Sequence, residues 1–542
     1  MRTVREATFE VLRRHGLTTL FANPGSTEVA FLAALPDDFR FVLALHEAAV
    51  VGMATGYALA RGRPALVNLH TTAGLGNAVG ALATARVNRS PLVVLVGQQD
   101  RRHLALEPFL TGSLRGLAGD YPVWVGEPAH AQDVPSAVGR AVHEAATGRG
   151  PALVIVPSGD WATEIAATAE VAAPARLHRS GAVAGSVPAE LGAMLREAAN
   201  PALVAGAGAD TPETWRALIA LAERLDAPVW QEAFGARAGF PQDHPLFAGH
   251  LPASRERLRA VLAEYDVVLV VGAPVFRQYA YEPGPLLPPG TRAALITDDP
   301  NEAHRAPAEI AVLTAPAAAV AELTALLPAR PATPRARATP PAVPPPAPQA
   351  SLRPPWVLAE LGRRLPRDVV LVEETPSSRP DLHALIPARA PMGFVSAAMG
   401  GLGFGLPAAL GLRLGNPDRP VVAVLGDGSS MYSIQALWSA AHYRIGVLLV
   451  VLANGRYAIM DRLAERAGGK PPWPAFTEID IGALAVAMGC AARQVGTAAE
   501  LTAVLDEVVP TLRDRQEPLL LNVAVEPDLA FNPITQQATS TT

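Results

Sequence analysis

Short, continuous runs of apolar residues alternate with longer segments rich in Ala and Leu along most of the chain. In the first third, four such runs have the character of strands that are buried on both faces. They are TTLFAN (18–23), PALVNLH (64–70), PLVVLVG (91–97) and PALVIVP (151–157). Helical segments such as EAAVVGMATGYALARG (47–62) lie between them. This alternation predicts a parallel sheet with helices on both of its sides.

The same pattern recurs twice more along the chain. Runs of this kind are PALVAGAG (201–208), APVWQEA (227–233), DVVLVVGAP (266–274), AALITDDP (293–300), VVLVEE (369–374), PVVAVLGDG (420–428), GVLLVVLANG (446–455) and PLLLNVAVEP (518–527). Between the second and third groups, the chain is dominated by Pro, Ala and Arg, as in PPAVPPPAP (340–348), which is typical of an extended linker. We therefore predict an α/β protein with three doubly wound parallel-sheet domains, at residues 1–175, 185–328 and 356–530, and a Pro-rich linker at 329–355.

Composition and charge exclude several classes of protein. Half of the 542 residues are hydrophobic, and the formal net charge is −5, so no overall positive field would attract nucleic acid. No apolar run approaches the ~20 residues that a membrane-spanning helix needs, and the charged first segment does not have the pattern of a signal peptide. The single cysteine, Cys490, excludes a disulfide within the chain and a cysteine metal cluster. We expect a soluble, cytoplasmic protein.

The strongest local motif is GDGSSMYSIQALWSAAHYRIGVLLVVLANGRYAIM (426–460). Asp427 stands in a Gly-flanked turn directly after a predicted strand, and Asn454 ends the next one. Ligands bind at the carboxyl ends of strands in open α/β sheets. Asp427, Asn454 and a main-chain carbonyl just after Asn454 offer hard oxygen ligands suited to Mg²⁺ or Ca²⁺. Free N–H groups near Ser429 and Ser430, at the start of a predicted helix, would hold phosphate oxygens.

This motif resembles the GDG…N signature of thiamin-diphosphate enzymes. The resemblance implies that the main-chain carbonyl of Arg456 is the third metal ligand, and that a carboxylate elsewhere faces the aminopyrimidine ring of the cofactor. Glu47 is suited to that second task because it follows a strand and begins an apolar helix in FVLALHEAAVVGMATGYALAR (41–61). The alternative is that Glu47 only interacts favourably with the helix dipole.

Longer segments resemble the benzoylformate decarboxylases. They are FANPGSTEVAFLAAL (21–35), LHEAAVVGMATGYA (45–58), LHTTAGLGNAVGAL (69–82), APVFRQYAYEPG (273–284), MGGLGFGLPAALG (399–411) and ALWSAAHYRIG (436–446). The resemblance implies pyrimidine-binding, central and diphosphate-binding domains, thiamin diphosphate with Mg²⁺ or Ca²⁺, and a homotetramer whose active sites lie between chains. It also implies decarboxylation of a 2-keto acid with a bulky apolar side chain to an aldehyde and CO2.

The resemblance also assigns roles by position. Ser26 would bind the substrate carboxylate, His70 would transfer protons, Leu402 would press the cofactor into a bent form, and the Gly400 carbonyl would accept from its amine. Further expected cofactor contacts are Pro24, Gly25, Ser377, Ser378, Gly426, Gly428, Ser429, Ser430 and Tyr457. The expected substrate pocket comprises Asn77, Phe109, Leu110, Tyr279, Met460 and Leu463.

The sequence departs from the family pattern mainly on the substrate side. Tyr279 stands where the family has its second catalytic histidine, and a tyrosine is a poor proton shuttle near neutral pH. Ser396 and Leu463 replace aromatic residues, and Phe109 is a candidate to restore one ring from another wall. Pro376 replaces a hydroxyl residue in the diphosphate loop, beside Ser377 and Ser378.

Three other functions remain open from the sequence. Without the second histidine, a carboligase that joins the intermediate to a second carbonyl compound is a credible alternative. GAGAD (206–210) and the Asp298-Asp299 pair are weak indications of an FAD- or NAD-dependent oxidoreductase, because the full GxGxxG spacing is absent. A protein that binds thiamin diphosphate without turnover is the third, and the presence of Glu47 argues against it.

Overall fold

The computed structural model describes residues 2–165, 187–335, 339–347 and 350–527. They form three domains, each built on a six-stranded, wholly parallel sheet with helices packed on its faces. The predicted fold class is therefore confirmed. Residues 166–175, 185–186 and 528–530 of the predicted domains lie outside the described residues.

The N-terminal domain contains the first eight strands and five helices. The strands are β1 Arg2–Thr3, β2 Thr19–Asn23, β3 Arg40–Leu43, β4 Ala65–Leu69, β5 Leu92–Gln98, β6 Trp124–Gly126, β7 Pro151–Pro157 and β8 Glu164–Ile165. The helices are α1 Val4–Arg14, α2 Val29–Leu32, α3 Glu47–Arg61, α4 Thr72–Val87 and α5 Val134–Gly148. The sheet order is β3-β2-β4-β5-β7-β6, and β1 pairs with β8 in a separate antiparallel ribbon.

The central domain repeats this architecture. Its strands are β9 Pro201–Ala205, β10 Val229–Gln231, β11 Phe247–His250, β12 Val267–Val271, β13 Arg292–Thr297 and β14 Ile310–Leu313. Its helices are α6 Val187–Glu197, α7 Pro212–Leu225, α8 Arg255–Leu262, α9 Pro300–His304 and α10 Pro316–Leu326. The sheet order is β11-β10-β9-β12-β13-β14.

The C-terminal domain carries the GDG motif. Its strands are β15 Val370–Glu374, β16 Phe394–Ser396, β17 Val421–Gly426, β18 Leu448–Ala453, β19 Ala491–Val495 and β20 Leu519–Ala524. Its helices are α11 Pro354–Arg364, α12 Arg379–Leu385, α13 Gly405–Gly415, α14 Asp427–Ser430, α15 Ala436–His442, α16 Ala458–Arg466, α17 Ile481–Ala487 and α18 Ala498–Val508. The sheet order is β16-β15-β17-β18-β20-β19.

The Pro-rich linker ends earlier than the sequence predicted. Its described residues contain no helix or strand up to Leu352, which makes an isolated bridge to Val525. Pro354 and Pro355, predicted as the end of the linker, instead begin α11. Proline is favourable there because the first N–H groups of a helix have no partner within the helix.

Helices α3 and α13 pack closely and join the N-terminal and C-terminal domains in one hydrophobic core. A Cβ atom at Gly56 would lie 2.1 Å from the Ala408 carbonyl oxygen, and one at Gly411 would lie 1.9 Å from the Met53 carbonyl oxygen. Only glycine permits this approach of two backbones. The contact fixes the helix that begins with Glu47 relative to the domain that carries Asp427.

Candidate active site

A cavity of about 460 Å³ opens at the carboxyl edge of the C-terminal sheet, where β15, β17 and β18 end. Its position agrees with the general rule for ligands in open parallel sheets. Twelve of the residues predicted from sequence lie on its wall, namely Ser377, Ser378, Gly400, Leu402, Gly426, Asp427, Gly428, Ser429, Asn454, Arg456, Tyr457 and Met460. Thr375, Tyr432, Ile459 and Trp473 also line the cavity and were not predicted.

Asp427 is held in place by backbone donors from two loops. Its Oδ1 accepts from Gly428 N at 2.8 Å, and its Oδ2 accepts from Asn454 N at 2.9 Å and Gly455 N at 2.6 Å. Burial raises the pKa of Asp427, and these N–H groups act in the opposite direction. The carboxylate thus ties the turn after β17 to the turn after β18, which brings Asp427 and Asn454 together.

The structure corrects one detail of the predicted phosphate site. Instead of a long helix after Asp427, α14 is a single turn that ends at Ser430, and α15 begins only at Ala436. The Ser430 hydroxyl donates to the Gly426 carbonyl at 2.8 Å and is not on the cavity wall, whereas Ser429 is. Of the two predicted serines, the structure places only Ser429 beside the cavity.

Buried Glu374, which sequence reasoning missed, organises the Gly-rich run that borders the cavity. Its two carboxylate oxygens accept from the backbone N–H groups of Gly403, Phe404 and Gly405, at 2.5–2.8 Å. Burial raises the pKa of Glu374 to about 7. Gly400 has a φ of 72°, and a Cβ there would meet no atom within 4 Å, so the backbone at this point faces open space. A cofactor ring can therefore approach this segment closely.

The residues present fit a magnesium-diphosphate group. A carboxylate, an amide oxygen and the main-chain carbonyl of Arg456 form the hard donor set that Mg²⁺ prefers, with the hydroxyls of Ser377 and Ser378 on the same wall. Among the described residues, no cluster of three His, Cys, Asp or Glu side chains offers an alternative metal centre.

Glu47 is the first residue of α3 and is 7% exposed. Its Oε1 accepts from Asn23 Nδ2 and its Oε2 from Asn77 Nδ2, both at 3.0 Å. Gly74, on α4, lies beside Glu47, since a Cβ there would be in van der Waals contact with Glu47 Cγ at 3.6 Å. The two amides orient the carboxylate, so Asn77 supports Glu47. Asn77 was predicted for the substrate pocket, and Asn23 was not predicted for the site.

His70 follows β4 and contacts a buried carboxylate that sequence reasoning also missed. Its Nδ1 lies 3.0 Å from Glu28 Oε2 and 3.0 Å from the Thr27 hydroxyl. Glu28 also accepts from Gly25 N at 2.8 Å, and a Cβ at Gly97 would lie 1.8 Å from its Oε1. Because the carboxylate accepts the proton on Nδ1, Nε2 is the nitrogen free for proton transfer.

The other N-terminal residues of the prediction are near the surface of the single chain. Pro24 and Ser26 are exposed where β2 leads into a short 3-10 turn, and Gly25 packs against the His70 ring. Phe109 is 86% exposed. The carbonyl of Leu110 accepts from the hydroxyl of Thr71, the residue after His70, at 3.2 Å.

Three substrate-side residues lie away from the cavity wall. Tyr279, in the central domain, is 56% exposed, and its ring centroid is 6.1 Å from that of Phe234. Leu463 lies on α16, half-buried and outside the lining of the cavity. Ser396 is buried, and its hydroxyl binds Glu373 rather than facing the cavity.

The cavity wall is formed entirely by residues between Pro354 and Val525. Glu47, His70 and Ser26 therefore lie on a separate part of the chain. A larger cavity, of about 640 Å³, lies between the central domain and α12 and contains none of the predicted residues.

The residues that suggested a dinucleotide site make contacts with other parts of the protein. Cβ atoms at Gly206 and Gly208 would clash with Gly272, so these glycines serve packing between loops. Asp298 forms ion pairs with Arg89 and Arg149. The glycines and the acidic pair are therefore explained without a bound nucleotide. Among the described residues, no helix is long and apolar enough to cross a bilayer.

Comparisons with known proteins agree with this geometry. Three family models match: the N-terminal TPP binding domain of thiamine pyrophosphate enzymes at residues 2–117, their central domain at 189–323 and their C-terminal TPP binding domain at 378–523. A benzoylformate decarboxylase of Pseudomonas aeruginosa is 43% identical over 85% of this chain and 87% of its own length.

Solved structures give the same result. The thiamine diphosphate-dependent 4-hydroxybenzoylformate decarboxylase of Rhodococcus jostii RHA1 has a TM-score of 0.92 and 38% identity, over 97% of this chain and all of its own. Benzoylformate decarboxylase from Polynucleobacter necessarius has a TM-score of 0.90 and 35% identity, over 98% of this chain and 99% of its own. The chain belongs to the thiamine pyrophosphate enzyme family and is similar to its benzoylformate decarboxylases.

Proposed function

We propose that this protein is a thiamin-diphosphate- and Mg²⁺-dependent decarboxylase that converts a 2-keto acid with a bulky apolar side chain to an aldehyde and CO2. The observation that carries the proposal is the buried Glu47 carboxylate, oriented by two asparagine amides, in a chain that also holds a complete set of metal and diphosphate groups around Asp427. The names of the similar proteins support an aromatic 2-keto acid.

Bound thiamin diphosphate supplies the nucleophile and the electron sink for loss of CO2. Glu47 would hold a proton shared with a ring nitrogen of the aminopyrimidine. Asn23 and Asn77 keep the carboxylate in position, and its burial excludes water from that proton.

On the substrate side, the free Nε2 of His70 would give and take the protons of the substrate oxygen and carbon. Glu28, 3.0 Å from Nδ1, would stabilise the imidazolium that forms between the two transfers. The hydroxyl of Ser26 would donate to the substrate carboxylate. This role agrees with the exposed position of Ser26 beside Gly25 and the imidazole ring.

The active site would be completed by a second copy of the chain, in a homotetramer. The cavity has a wall from the C-terminal domain alone, so Glu47 of another subunit would supply the opposite wall. Exposed apolar side chains occur on both parts, including Leu45 and Phe109 in the N-terminal domain and Met399 and Met460 in the C-terminal domain. An interface between two chains at these surfaces would bury such side chains. A cytoplasmic location stays a prediction.

A carboligase is the second candidate function. It is favoured by Tyr279, because a poor proton donor at this position would prolong the life of the intermediate that adds to a second carbonyl compound. Product analysis with and without an added acceptor aldehyde separates the two activities. Mostly 2-hydroxyketone in its presence would assign the carboligase.

The test of the proposed decarboxylase is CO2 release from a panel of aryl and branched aliphatic 2-keto acids with thiamin diphosphate and Mg²⁺. We expect activity on bulky apolar acids and a loss of at least about a hundredfold in Glu47→Gln. Exposed Glu213→Gln serves as the control and should retain activity. Unchanged turnover in Glu47→Gln, or no CO2 from any acid, would contradict the proposal.

A further inference from the structure

The four residues 375–378 form the loop that connects β15 to α12, and all four line the cofactor cavity. Three buried polar side chains surround the base of this loop. Glu373 precedes it, Arg379 follows it, and Ser396 lies directly opposite Glu373 on the neighbouring strand β16. Their side chains meet beneath the loop, so the cavity wall has a polar support inside the protein.

Glu373 is the centre of this group. Its Oε1 accepts from Thr375 N at 2.8 Å, and its Oε2 accepts from the Ser396 hydroxyl at 2.9 Å. Arg379 Nε lies 3.1 Å from the same Oε2, and Arg379 Nη2 donates to the Ser396 oxygen. One carboxylate thus connects the start of the loop, its end and the next strand.

A buried ion pair of this kind adds little to folding stability, because removing two charges from water offsets much of their attraction. Glu373, Arg379 and Ser396 are 3%, 9% and 2% exposed, so that desolvation is nearly complete. A more direct consequence is geometric. The group joins both ends of the loop, and Pro376 further restricts the backbone within it.

We propose that Glu373, Arg379 and Ser396 form a brace that fixes the loop 375–378 before the cofactor arrives, so that Ser377 and Ser378 bind the diphosphate without first becoming ordered. Ordering a flexible loop opposes binding, and a pre-organised loop avoids that loss of affinity. The three are positioning residues and do not contact the cofactor. The brace also explains why position 396 is a serine, since its hydroxyl both donates to Glu373 and accepts from Arg379. This inference rests on the cofactor site described above.

The test compares the affinities for thiamin diphosphate and thiamin monophosphate, measured by calorimetry with Mg²⁺ on the full-length protein. Arg379→Gln leaves Glu373 unpaired, so Glu373→Gln/Arg379→Gln is the main variant because it contains no unpaired buried charge. We expect its Kd for the diphosphate to rise about tenfold or more while its Kd for the monophosphate changes little. Ser396→Ala should show a smaller change in the same direction.

Arg101→Gln is the control. Arg101 is also paired with a buried carboxylate, Asp160, but it lies in the N-terminal domain, and its other hydrogen bonds go to the carbonyls of Ala129 and Pro128. It should lower the melting temperature and leave the ratio of the two Kd values unchanged. An unchanged ratio in the double variant, or an equal change in Arg101→Gln, would overturn the brace. Failure of the wild-type protein to bind thiamin diphosphate would overturn the cofactor site together with the brace.

Discussion

The Oε2 atom of Glu28 lies 3.0 Å from Nδ1 of His70, and the Glu28 side chain is almost completely buried. Gly97 is required at this point, since any side chain there would overlap the carboxylate. The pair therefore has a fixed geometry in which Glu28 orients the imidazole.

Glu28→Gln tests this relationship. An amide cannot stabilise the imidazolium, so kcat/KM should fall about tenfold to a hundredfold with the melting temperature nearly unchanged. Steady-state kinetics across pH 5.5–8.5 would measure the loss. Glu10→Gln, a change at an exposed ion pair on α1, is the control. Full activity in Glu28→Gln would show that His70 acts without Glu28.

Asp427→Asn tests the metal site. The amide loses the charge that attracts the cation, and its NH2 group would face the N–H groups of Asn454 or Gly455. We expect cofactor affinity in Mg²⁺ to fall about a hundredfold, measured by equilibrium dialysis. Asp368→Asn, at an exposed ion pair with Arg513, should behave like the wild-type protein. A chelator should release thiamin diphosphate from the wild type, and retention after chelation would contradict a metal bridge.

Gly411→Ala tests the contact between α3 and α13. The added Cβ would overlap the Met53 carbonyl oxygen, so the helices must separate and the melting temperature should fall by several degrees, about 2–4 °C per kcal/mol lost. Gly139→Ala on α5 is the control, because its Cβ would lie 3.8 Å from Val11 and the alanine favours the helix. Equal melting temperatures for the two variants would show that the helices do not need this close approach.

The raised pKa of Glu232 predicts how the stability of the folded protein changes with pH. Burial raises its pKa to about 7 from an ordinary value of 4.5, so the folded protein binds the proton more strongly than the unfolded chain. The stabilising effect of that proton is complete below about pH 4.5 and is lost as the pH rises through 7. In Glu232→Gln, the fall in melting temperature between pH 5.5 and 8 should be smaller than in the wild type. If the plots of melting temperature against pH are parallel for the two proteins, Glu232 does not ionise in this range.

The sequence predicted the interior of each sheet better than its margins. The continuous apolar runs correspond to central strands such as β5 and β12, which are buried on both faces. The edge strands β6, β11, β14, β16 and β19 were not identified, because an edge strand needs apolar residues on only part of its surface. The sequence AARQV of β19, for example, is mostly exposed and has no recognisable period.

Within the site, the residues of the motifs could be predicted from the sequence, but the buried residues that hold the site in place could not. Asp427, Asn454 and Glu47 stand in recognisable local patterns. Glu28 and Glu374 are ordinary acidic residues in sequence, and their importance depends on contacts with His70 and with Gly403–Gly405 that only the fold creates. The glycines opposite them, Gly97 in a strand and Gly405 at a helix start, are the signal that could have suggested a close contact.

We expect Glu47 of one chain to serve a cofactor anchored at Asp427 of another. Co-expression of Glu47→Gln and Asp427→Asn chains tests it directly, because each homo-oligomer should be inactive. If the site lies between chains, a dimer with one chain of each variant contains one fully wild-type site and one site with both changes. Random assembly makes about half of the dimers mixed, so roughly a quarter of wild-type activity should be restored. If both groups act within one chain, every site in the mixture is damaged. Activity no greater than that of the separate variants would contradict an active site shared between chains.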